Sequence, residues 1–357
     1  MPEPLMAERG RVGLRRTGHD VLAGARAQID PALRAVVQGL PAGSRHVVGY
    51  HFGWWDELGI TAAGGPDGRA GGGKVIRPAL ALLAAEAAGG HPGGAVPAAV
   101  ALELVHNFSL VHDDLIDGDA TRRHRPTVWA VFGPAPALLA GDALLSLAFE
   151  VLAACGHPAA PEGAGMLGAA VQALIDGQTR DMSFEARTDV DVAECRGMAE
   201  RKTGALFGAA CGLGALFGGG SPQLVSYLRG VGERLGLAFQ FVDDLLGIWG
   251  DPAVTGKPVY SDLSRRKKSL PVVWALRSGT DAGAELAALF AGRESLAGDE
   301  LARSAQLVEL AGGREWSVAQ VDELLVEVLV LLDSVALAER PAAELGELAR
   351  LMTRRDR

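Results

Sequence analysis

Residues 110–129 read LVHDDLIDGDATRRHRPTVW, a stretch that places acid and base beside an apolar run. On a helix, Asp113 and Asp117 lie one turn apart on the same face, whereas Asp114 is turned away from them. Carboxylates this close repel one another unless a cation is shared between them. Mg²⁺ suits the pattern, because it takes one or two carboxylates, keeps waters and bridges to phosphate. From this motif alone, a solvated acidic helix end remains the alternative.

A second stretch, FQFVDDLLGIWGDPAVTGKP at residues 239–258, repeats the arrangement. Asp243 and Asp244 are adjacent on another apolar helix, and Gln240 lies about one turn before Asp243. Two aspartate pairs on two separate apolar helices are hard to explain as surface decoration. They predict two walls that face each other across a cavity and hold a diphosphate through several divalent ions.

Basic residues recur beside glycine and proline turns. GGGKVIRP supplies Lys74 and Arg77, RKTGALFG supplies Lys202 and Thr203, and TGKPVYSDLSRRKKS supplies Lys257 and Lys267. The glycine-rich loop is not a Walker A sequence, which would need Gly-Lys-Ser/Thr after four variable positions. A single lysine is most often a solvated charge, but this repeated placement favours phosphate binding.

Composition indicates a soluble protein without a nucleic-acid partner. The 357 residues are 48% hydrophobic and 22% charged, and the net charge of −9 opposes binding to a phosphate backbone. The apolar stretch ALLAGDALLSLAFEVLAAC is interrupted by Asp142 and Glu150, so we expect a buried helix and no transmembrane segment. Cys155, Cys195 and Cys211 show no paired spacing, which indicates a reducing compartment and a cytoplasmic location.

Helical periodicity dominates, and hairpin-bounded strand patterns are missing. We therefore predict an all-α fold: a disordered lead-in over residues 1–18 and one domain of many helices over residues 19–357. The predicted helices cover residues 20–39, 77–88, 95–116, 136–154, 166–179, 190–217, 222–248, 270–277 and 317–337. The aromatic cluster YHFGWWDELG at residues 50–59 is interpreted as local packing, with a substrate-cap role as the alternative.

Taken together, HDDLIDGDATRRHRP, FQFVDDLLGIWGD, GGGKVIRP, RKTG and GQTRD resemble the motifs of the trans-isoprenyl diphosphate synthases, the polyprenyl synthetase family. These motifs run from Gly71 to Leu270, so the resemblance covers most of the chain. It implies the isoprenoid synthase fold, in which many helices surround a deep apolar central cavity, usually in a homodimer. It also implies a Mg²⁺-dependent condensation of isopentenyl diphosphate with an allylic diphosphate, with three ions in each active site.

The resemblance also implies roles for individual residues. The metal ligands would be Asp113, Asp114, Asp117, Asp243 and Asp244. The isopentenyl diphosphate site would contain Lys74, Arg77, His106 and Arg123, and the allylic diphosphate site would contain Arg122, Lys202, Lys257 and Lys267. Catalytic positions at the reaction centre would be Lys202, Thr203, Gln240 and Lys257, and Gln178 and Asp181 match the family's GQxxD signature.

Three positions depart from the family pattern. Gly247 stands where the second motif commonly has its final aspartate, and Asp251 lies on a different helical face. Tyr260 and Arg266 replace glycines of the lysine-bearing loop. His106 alone would be interpreted as a core histidine, but it returns to the face of Asp113 after seven residues and matches the family. His112 has no such match and is interpreted as structural.

Product length depends on Phe108 and Ser109, just before the first motif. In the family, one aromatic at this position with a small neighbour resembles a geranylgeranyl (C20) synthase, whereas two adjacent aromatics indicate the shorter farnesyl product. We therefore predict a C20 product, with a farnesyl diphosphate synthase as the alternative. Phe108 could also simply pack between helices.

Three other functions remain open. A class I terpene cyclase of the same fold would need no second-substrate site, so the basic residues around Lys74 would have no common task. A non-catalytic regulatory subunit would be expected to lose its aspartates, yet DDLID is intact. A helical prenyl-binding module without turnover is kept open by Gly247.

Overall fold

A computed structural model describes residues 16–61, 73, 75–252, 259–292 and 296–354. The fold is all-α, as predicted, and across these residues a short hairpin is the sole sheet. The helices are α1 (Gly18–Gln38), α2 (Ala42–His51), α3 (Ile76–Ala87), α4 (Pro92–Ile116), α5 (Val128–Phe132), α6 (Pro134–Ala154), α7 (Ala160–Glu185), α8 (Val192–Ala199), α9 (Ala205–Phe217), α10 (Pro222–Trp249), α11 (Ser261–Ser264), α12 (Leu270–Arg277), α13 (Asp281–Phe290), α14 (Asp299–Leu310), α15 (Gly313–Asp333) and α16 (Glu339–Thr353). The hairpin strands are β1 (Thr121–Arg122) and β2 (Arg125–Pro126), and a π-helical turn (Glu200–Gly204) joins α8 to α9.

Each predicted helix exists, but several ends differ. The helix predicted from residue 95 begins at Pro92, because His91 caps it by accepting a hydrogen bond from the Gly93 amide and proline suits a first helical turn. The helix predicted over residues 166–179 extends over the whole of α7. Apolar spacing did not predict α2, α5, α11, α13, α14 and α16.

Helix α9 is the centre of the bundle. It is almost entirely buried and packs against α3, α4, α7 and α10. Gly214 allows the closest of these contacts, since a Cβ there would overlap the carbonyl group of Ala81 on α3.

Helices α4 and α10, the two predicted walls of the site, share a neighbour. Both pack on α9, while α4 also packs on α3 and α6 and α10 also packs on α15. Neither packs extensively against the other. Each wall carries its pair of adjacent aspartates near its C-terminal end.

The start of the described chain is held in place. Most of the predicted lead-in, residues 1–15, lies outside the described residues. Thr17 and Asp20 form a reciprocal capping box, so α1 already begins at Gly18. Arg16 pairs with Glu344 of α16 and Glu86 of α3. The end of the predicted disordered segment is therefore ordered, because capping and these ion pairs fix it.

Two helices, α4 and α6, are long and apolar enough to span a membrane by length and composition. The most apolar part of α4 is 67% buried within the fold, as expected for a core helix, whereas that of α6 is 39% buried. Leu138 and Leu139 at the start of α6 are exposed, so part of this helix presents an apolar face.

Candidate active site

The aspartates at the end of α4 differ in burial and in their contacts. Asp113 is partly buried and Asp117 is exposed at the end of α4. Asp114 is buried, and one of its oxygens accepts hydrogen bonds from Nε and Nη2 of Arg122, both at 2.7 Å. Asp114 is predicted as a metal ligand, and in the structure its Oδ1 also anchors Arg122 of the hairpin.

The β1–β2 hairpin directs the two arginines. Its turn consists of Arg123 and His124, with φ angles of 51° and 61°. Two positive φ angles are what a two-residue turn needs to match the strand twist, and glycine or asparagine usually supplies them. Non-glycine residues store strain in this conformation, of order 1–3 kcal/mol each. The turn sends Arg122 towards Asp114, while Arg123 Nη2 lies 2.7 Å from the point where a Gly73 side chain would begin.

The second wall contains a chain of hydrogen bonds. Thr203 Oγ1 donates to Gln240 Oε1 at 2.5 Å, and Gln240 Nε2 donates to Asp244 Oδ1 at 2.8 Å. The amide of Leu270, the first residue of α12, donates to Asp244 Oδ2 at 2.9 Å. Burial raises the pKa of Asp244 to about 6. Asp244, also predicted as a metal ligand, therefore has both oxygens engaged by the protein, whereas the neighbouring Asp243 is exposed.

Lys202 and Thr203 lie in the π-helical turn, a feature that often marks functional sites. Gly177 of α7 lets this turn approach, since any side chain there would overlap the Lys202 backbone. Lys202 Nζ donates to Asp181 Oδ2 at 2.7 Å, so the signature GQTRD positions the lysine. Burial opposes the charge of Asp181, but Lys202 and Lys267 together hold the pKa of this carboxyl below its usual range.

Lys267 brings the two walls into one site. Its pKa is raised well above the usual value, chiefly by Asp262 and, despite its burial, also by Asp181, Asp244 and Asp117. These acids belong to α11, α7, α10 and the end of α4 respectively. Burial raises the pKa of Asp113 to about 6, and the nearby Asp117 and Asp181 act in the same direction. Acids carried by α4 and by α10 thus both lie within electrostatic range of Lys267.

Asp262 is a site residue that the sequence did not reveal. A Cβ at Gly247 would overlap the Asp262 carboxyl group, so this carboxylate fills the space where a side chain at position 247 would lie. The two residues are not related by helical spacing, because residues 250–260 separate α10 from α11. The signal in the sequence was Gly247 itself, together with an aspartate downstream.

The donor set fits Mg²⁺. Within the described ranges, no three His, Cys, Asp or Glu side chains are close enough to enclose an ion. A hard cation would therefore use one or two carboxylates and complete its shell with water and phosphate oxygens, which is how Mg²⁺ is usually bound. The raised pKa of Asp113 also favours cation binding, since a nearby cation stabilises the charged form of a partly buried carboxylate with like-charged neighbours.

Comparison with known proteins decides the family. The polyprenyl synthetase family model matches residues 69–308. A relative from Mycobacterium tuberculosis (strain H37Rv), named (2E,6E)-farnesyl diphosphate synthase, is 49% identical over 332 residues, covering 92% of this chain and 91% of the relative. A geranylgeranyl diphosphate synthase from the same organism is 42% identical over 341 residues, covering 95% and 94%.

The chain belongs to the polyprenyl synthetase family. Its activity class is that of a prenyl diphosphate synthase. The crystal structure of a polyprenyl synthetase from Streptomyces coelicolor A3(2) superposes with a TM-score of 0.87 at 46% identity, covering 93% of this chain and 98% of that one. A geranylgeranyl pyrophosphate synthase from Corynebacterium glutamicum, complexed with isoprenyl diphosphate and magnesium, has a TM-score of 0.78 at 27% identity, covering 94% and 98%.

The basic side of this polyprenyl synthetase contains buried polar atoms that have no partner in the described chain. They are Arg77 Nε and His106 Nδ1, together with Gln178 Oε1 of the GQTRD signature. The Arg77 guanidinium lies over the Phe207 ring at 4.5 Å. Burial lowers the pKa of Arg77 to about 10, which leaves it charged at neutral pH, and lowers that of His106 well below its usual value, which leaves it neutral. Lys74 and Lys257 lie outside the described residues.

Two departures from the family pattern have a backbone explanation. Tyr260 and Arg266, which replace glycines, have φ angles of 64° and 51°. Glycine is the residue that adopts such angles without strain, so these positions have kept the glycine conformation while changing the side chain.

Phe108 and Ser109, predicted to set the product length, lie on α4 next to residues of the same helix. Phe108 is buried and its ring meets His112 edge-on at 4.8 Å. His112 Nε2 lies 3.0 Å from the Leu138 carbonyl oxygen, and Gly141 leaves the room that its ring occupies. Ser109 Oγ donates to the His106 carbonyl at 2.8 Å. His112 is thus a packing residue that joins Phe108 of α4 to α6.

The aromatic cluster at residues 50–59 packs next to the hairpin. Tyr50 Oη donates to the Pro126 carbonyl at 2.9 Å, and Arg125 lies over the Tyr50 ring at 4.6 Å. A cleft of about 330 Å³ borders these residues and Trp55. The cluster therefore supports the strand that follows Arg122 and Arg123, which agrees with the packing interpretation.

Proposed function

We propose that this prenyl diphosphate synthase condenses isopentenyl diphosphate with an allylic diphosphate, head to tail, to give geranylgeranyl diphosphate. The observation that carries the proposal is a set of hydrogen bonds around the π-helical turn, where Asp181 holds Lys202 and Gln240, one turn before the aspartates of α10, holds Thr203. A site of this kind suits a diphosphate that leaves with several negative charges.

Mg²⁺ held by Asp113, Asp117 and Asp243 would neutralise the departing diphosphate as a Lewis acid. The chain's own cations act beside it. The acids around Lys267 favour its charged form, and Lys202 is held by Asp181. Arg122, anchored by Asp114, completes this side, and Lys257 remains a predicted contact. Together they stabilise charge that develops as the allylic bond to oxygen breaks.

The second substrate would lie against Lys74, Arg77, His106 and Arg123. Arg77 and His106 offer buried ring and guanidinium nitrogens to its diphosphate. The isopentenyl double bond then attacks the allylic cation, and the proton is lost to the released diphosphate. Apolar side chains of α4 and α9 exclude water that would otherwise quench the cation. Thr203 and Gln240, joined by their hydrogen bond, line the reaction centre.

The deciding experiment supplies isopentenyl diphosphate with each of the C5, C10 and C15 allylic diphosphates, with and without Mg²⁺. We expect Mg²⁺-dependent chain elongation, with products sized by mass spectrometry. A hydrocarbon formed from the allylic substrate alone would instead identify a terpene cyclase. Binding without turnover in every arm would identify a prenyl-binding module.

Product length has two candidates. The single aromatic Phe108 beside Ser109 supports C20, whereas the higher identity to the farnesyl-named relative favours C15. Phe108→Ala should lengthen the product, because it removes a ring that is packed rigidly on His112. Ser109→Phe should shorten it, and Ser109→Ala is the matched control. Unchanged product lengths in the Phe108→Ala variant would exclude the hypothesis that Phe108 limits product length.

We also propose a homodimer. The exposed apolar start of α6 supports it, with Leu138 at 49% and Leu139 at 63% exposure. Leu139→Glu should shift the protein from dimer to monomer in analytical ultracentrifugation, and a wild-type monomer would contradict the proposal. A cytoplasmic location also remains a proposal, supported by the free thiols of Cys155, Cys195 and Cys211.

A further inference from the structure

Two charged residues outside the recognised motifs lie on the second-substrate side of the site, Arg26 and Glu103. Glu103 belongs to α4 and is only 4% exposed. A buried carboxylate is costly unless cations compensate it. Arg77, Arg123 and Arg26 all lie near enough to Glu103 to lower its pKa, against the larger opposing effect of burial.

Glu103 is held rigidly. Asn107, one turn later, donates its Nδ2 to Glu103 Oε1 at 3.0 Å and to the Glu103 carbonyl at 2.7 Å. Asn107 Oδ1 lies 2.9 Å from His51 Nε2. Burial lowers the pKa of His51 to about 3, so this histidine is neutral and Nε2 is the donor. The network fixes the carboxylate in one place, which makes it a stable anchor for the cations around it.

Arg26 reaches the glycine-rich loop from α1. Its guanidinium donates to the Gly73 carbonyl, and Arg123 lies against the same glycine from the hairpin. Gly73 directly precedes Lys74, a predicted ligand of the second diphosphate. Two guanidiniums from distant segments thus converge on the Gly73 backbone.

Other acids also lie within electrostatic range of these arginines, namely Asp30 for Arg26, Asp243 for Arg77 and Asp114 for Arg123, but Asp30 is shared with Arg34 and Asp114 with Arg122. Glu103 is the acid that the three arginines share. Three guanidiniums brought together repel one another, so a shared counter-ion is needed to keep them convergent before substrate arrives.

We propose that Arg26 and Glu103 are positioning residues of the second diphosphate site: Glu103 gathers the guanidiniums of Arg26, Arg77 and Arg123, and Arg26 fixes the Gly73 backbone. The inference rests on the proposed function, because it assumes that isopentenyl diphosphate binds there. Burial lowers the pKa of both Arg77 and Arg123, because the negative charge around them does not fully offset the loss of water. An arriving diphosphate supplies further negative charge to these cations.

The test compares Arg26→Gln with Arg34→Gln. Arg34 lies two turns later on α1, also faces Asp30, and stacks over the Trp54 ring at 4.5 Å, away from Glu103. We expect Arg26→Gln to raise KM for isopentenyl diphosphate about tenfold, as for the loss of a charge-assisted contact, with kcat and the allylic KM within about twofold. Arg34→Gln should change none of them, and Arg26→Lys should lie between wild type and Arg26→Gln.

Glu103→Gln, which keeps the shape and removes the charge, should raise the same KM, and Glu103→Asp should recover part of the loss. Equal effects of Arg26→Gln and Arg34→Gln, or a parallel rise of both KM values, would overturn the proposal. Calorimetric titration with inorganic pyrophosphate provides a measurement without turnover. If the wild type makes no prenyl product, the proposed function fails, and an unchanged pyrophosphate affinity in Arg26→Gln would separately refute the role of Arg26.

Discussion

The two walls of the site carry similar aspartate pairs but complete them differently. On α4 the second outer carboxylate, Asp117, stands at the end of the same helix, one turn after Asp113. On α10 the matching position is Gly247, and the carboxylate of Asp262 fills the space from α11. The inner aspartates behave alike, since Asp114 anchors Arg122 and Asp244 anchors Gln240 and the start of α12.

The carboxylates of the α4 wall therefore come from one continuous segment, whereas those of the α10 wall come from two separate segments, α10 and α11. The α4 wall forms as soon as its helix forms. The α10 wall needs α11 to dock, and therefore depends on the segment that connects them. We expect the α10 wall to be the more sensitive of the two to changes outside its own helix.

The largest expected effect comes from removing one outer aspartate from either wall. Asp113→Asn and Asp243→Asn should each lower kcat about 10³-fold, because each removes a charge that stabilises the departing diphosphate. Steady-state assays at saturating Mg²⁺ measure this, with Asp251→Asn as the control. Near wild-type activity in Asp243→Asn would show that the α10 wall does not bind metal.

Moving the carboxylate from Asp262 of α11 to position 247 of α10 tests directly whether Asp262 completes the α10 wall. Asp262→Ala should lower kcat/KM about 10²-fold and raise the Mg²⁺ requirement, because one oxygen donor is lost. The double variant Gly247→Asp with Asp262→Ala returns a carboxylate to the same space and should recover most of the loss. Gly247→Asp alone should destabilise the fold, since its side chain overlaps that of Asp262.

Magnesium titrations of pyrophosphate binding, followed by calorimetry, separate metal affinity from turnover in these variants. If the double variant is no better than Asp262→Ala, then Asp262 does not stand in for the missing aspartate.

The pH dependence of stability compares an outer aspartate, Asp113, with an inner aspartate, Asp244. Burial raises the pKa of both Asp113 and Asp244 to about 6, above the usual 3.8, so the folded state binds their protons more tightly than the unfolded state. Without metal, stability should therefore be greatest below about pH 4 for these groups and fall between about pH 4 and pH 6, by about 3 kcal/mol per group, since one pKa unit corresponds to about 1.4 kcal/mol. Thermal unfolding between pH 4 and 7 measures this.

Adding Mg²⁺ and pyrophosphate at pH 7 should offset the loss from Asp113 but not that from Asp244, whose oxygens are engaged by Gln240 and Leu270. Asp113→Asn should accordingly reduce both the slope with pH and the stabilisation by Mg²⁺. A slope unchanged in this variant would contradict the assignment.

The smallest expected effect concerns an ion pair that links the walls. Arg265, just after α11, pairs with Asp119 in the loop after α4. Arg265 is exposed, so Arg265→Gln should cost only about 0.5 kcal/mol of stability, but it should raise the Mg²⁺ requirement up to about threefold by loosening α11. Arg303→Gln, which breaks an exposed pair with Glu285, is the control and should affect stability alone. Equal Mg²⁺ requirements would show that the pair does not support the α10 wall.

The sequence was sufficient for much of the fold. Helical spacing predicts α4, α6 and α10 to within a few residues, because long apolar faces pack in the core. It does not predict α2, which is short, or α14 and α16, whose charged residues dilute the apolar pattern. Tertiary packing, rather than local spacing, stabilises such helices.

The site divides in the same way. Asp113, Asp117 and Asp243 follow from motif and helical phase, because their function depends on residues close in sequence. Asp262, Arg26 and Glu103 do not, because each acts on a segment that is distant in the chain and adjacent only after folding. The inner aspartates Asp114 and Asp244 are predicted as ligands from their spacing, and their hydrogen bonds add an anchoring role that spacing does not show.

The turn at Arg123 and His124 has a consequence for anyone who wishes to make this enzyme more heat-resistant. Both residues hold a backbone shape that glycine adopts freely, so a glycine at His124 would relax the turn and is the obvious improvement. The same strained shape aims Arg123 at Gly73. A variant stabilised in this way would bind its substrate less tightly, so that thermal stability would increase while substrate affinity decreased.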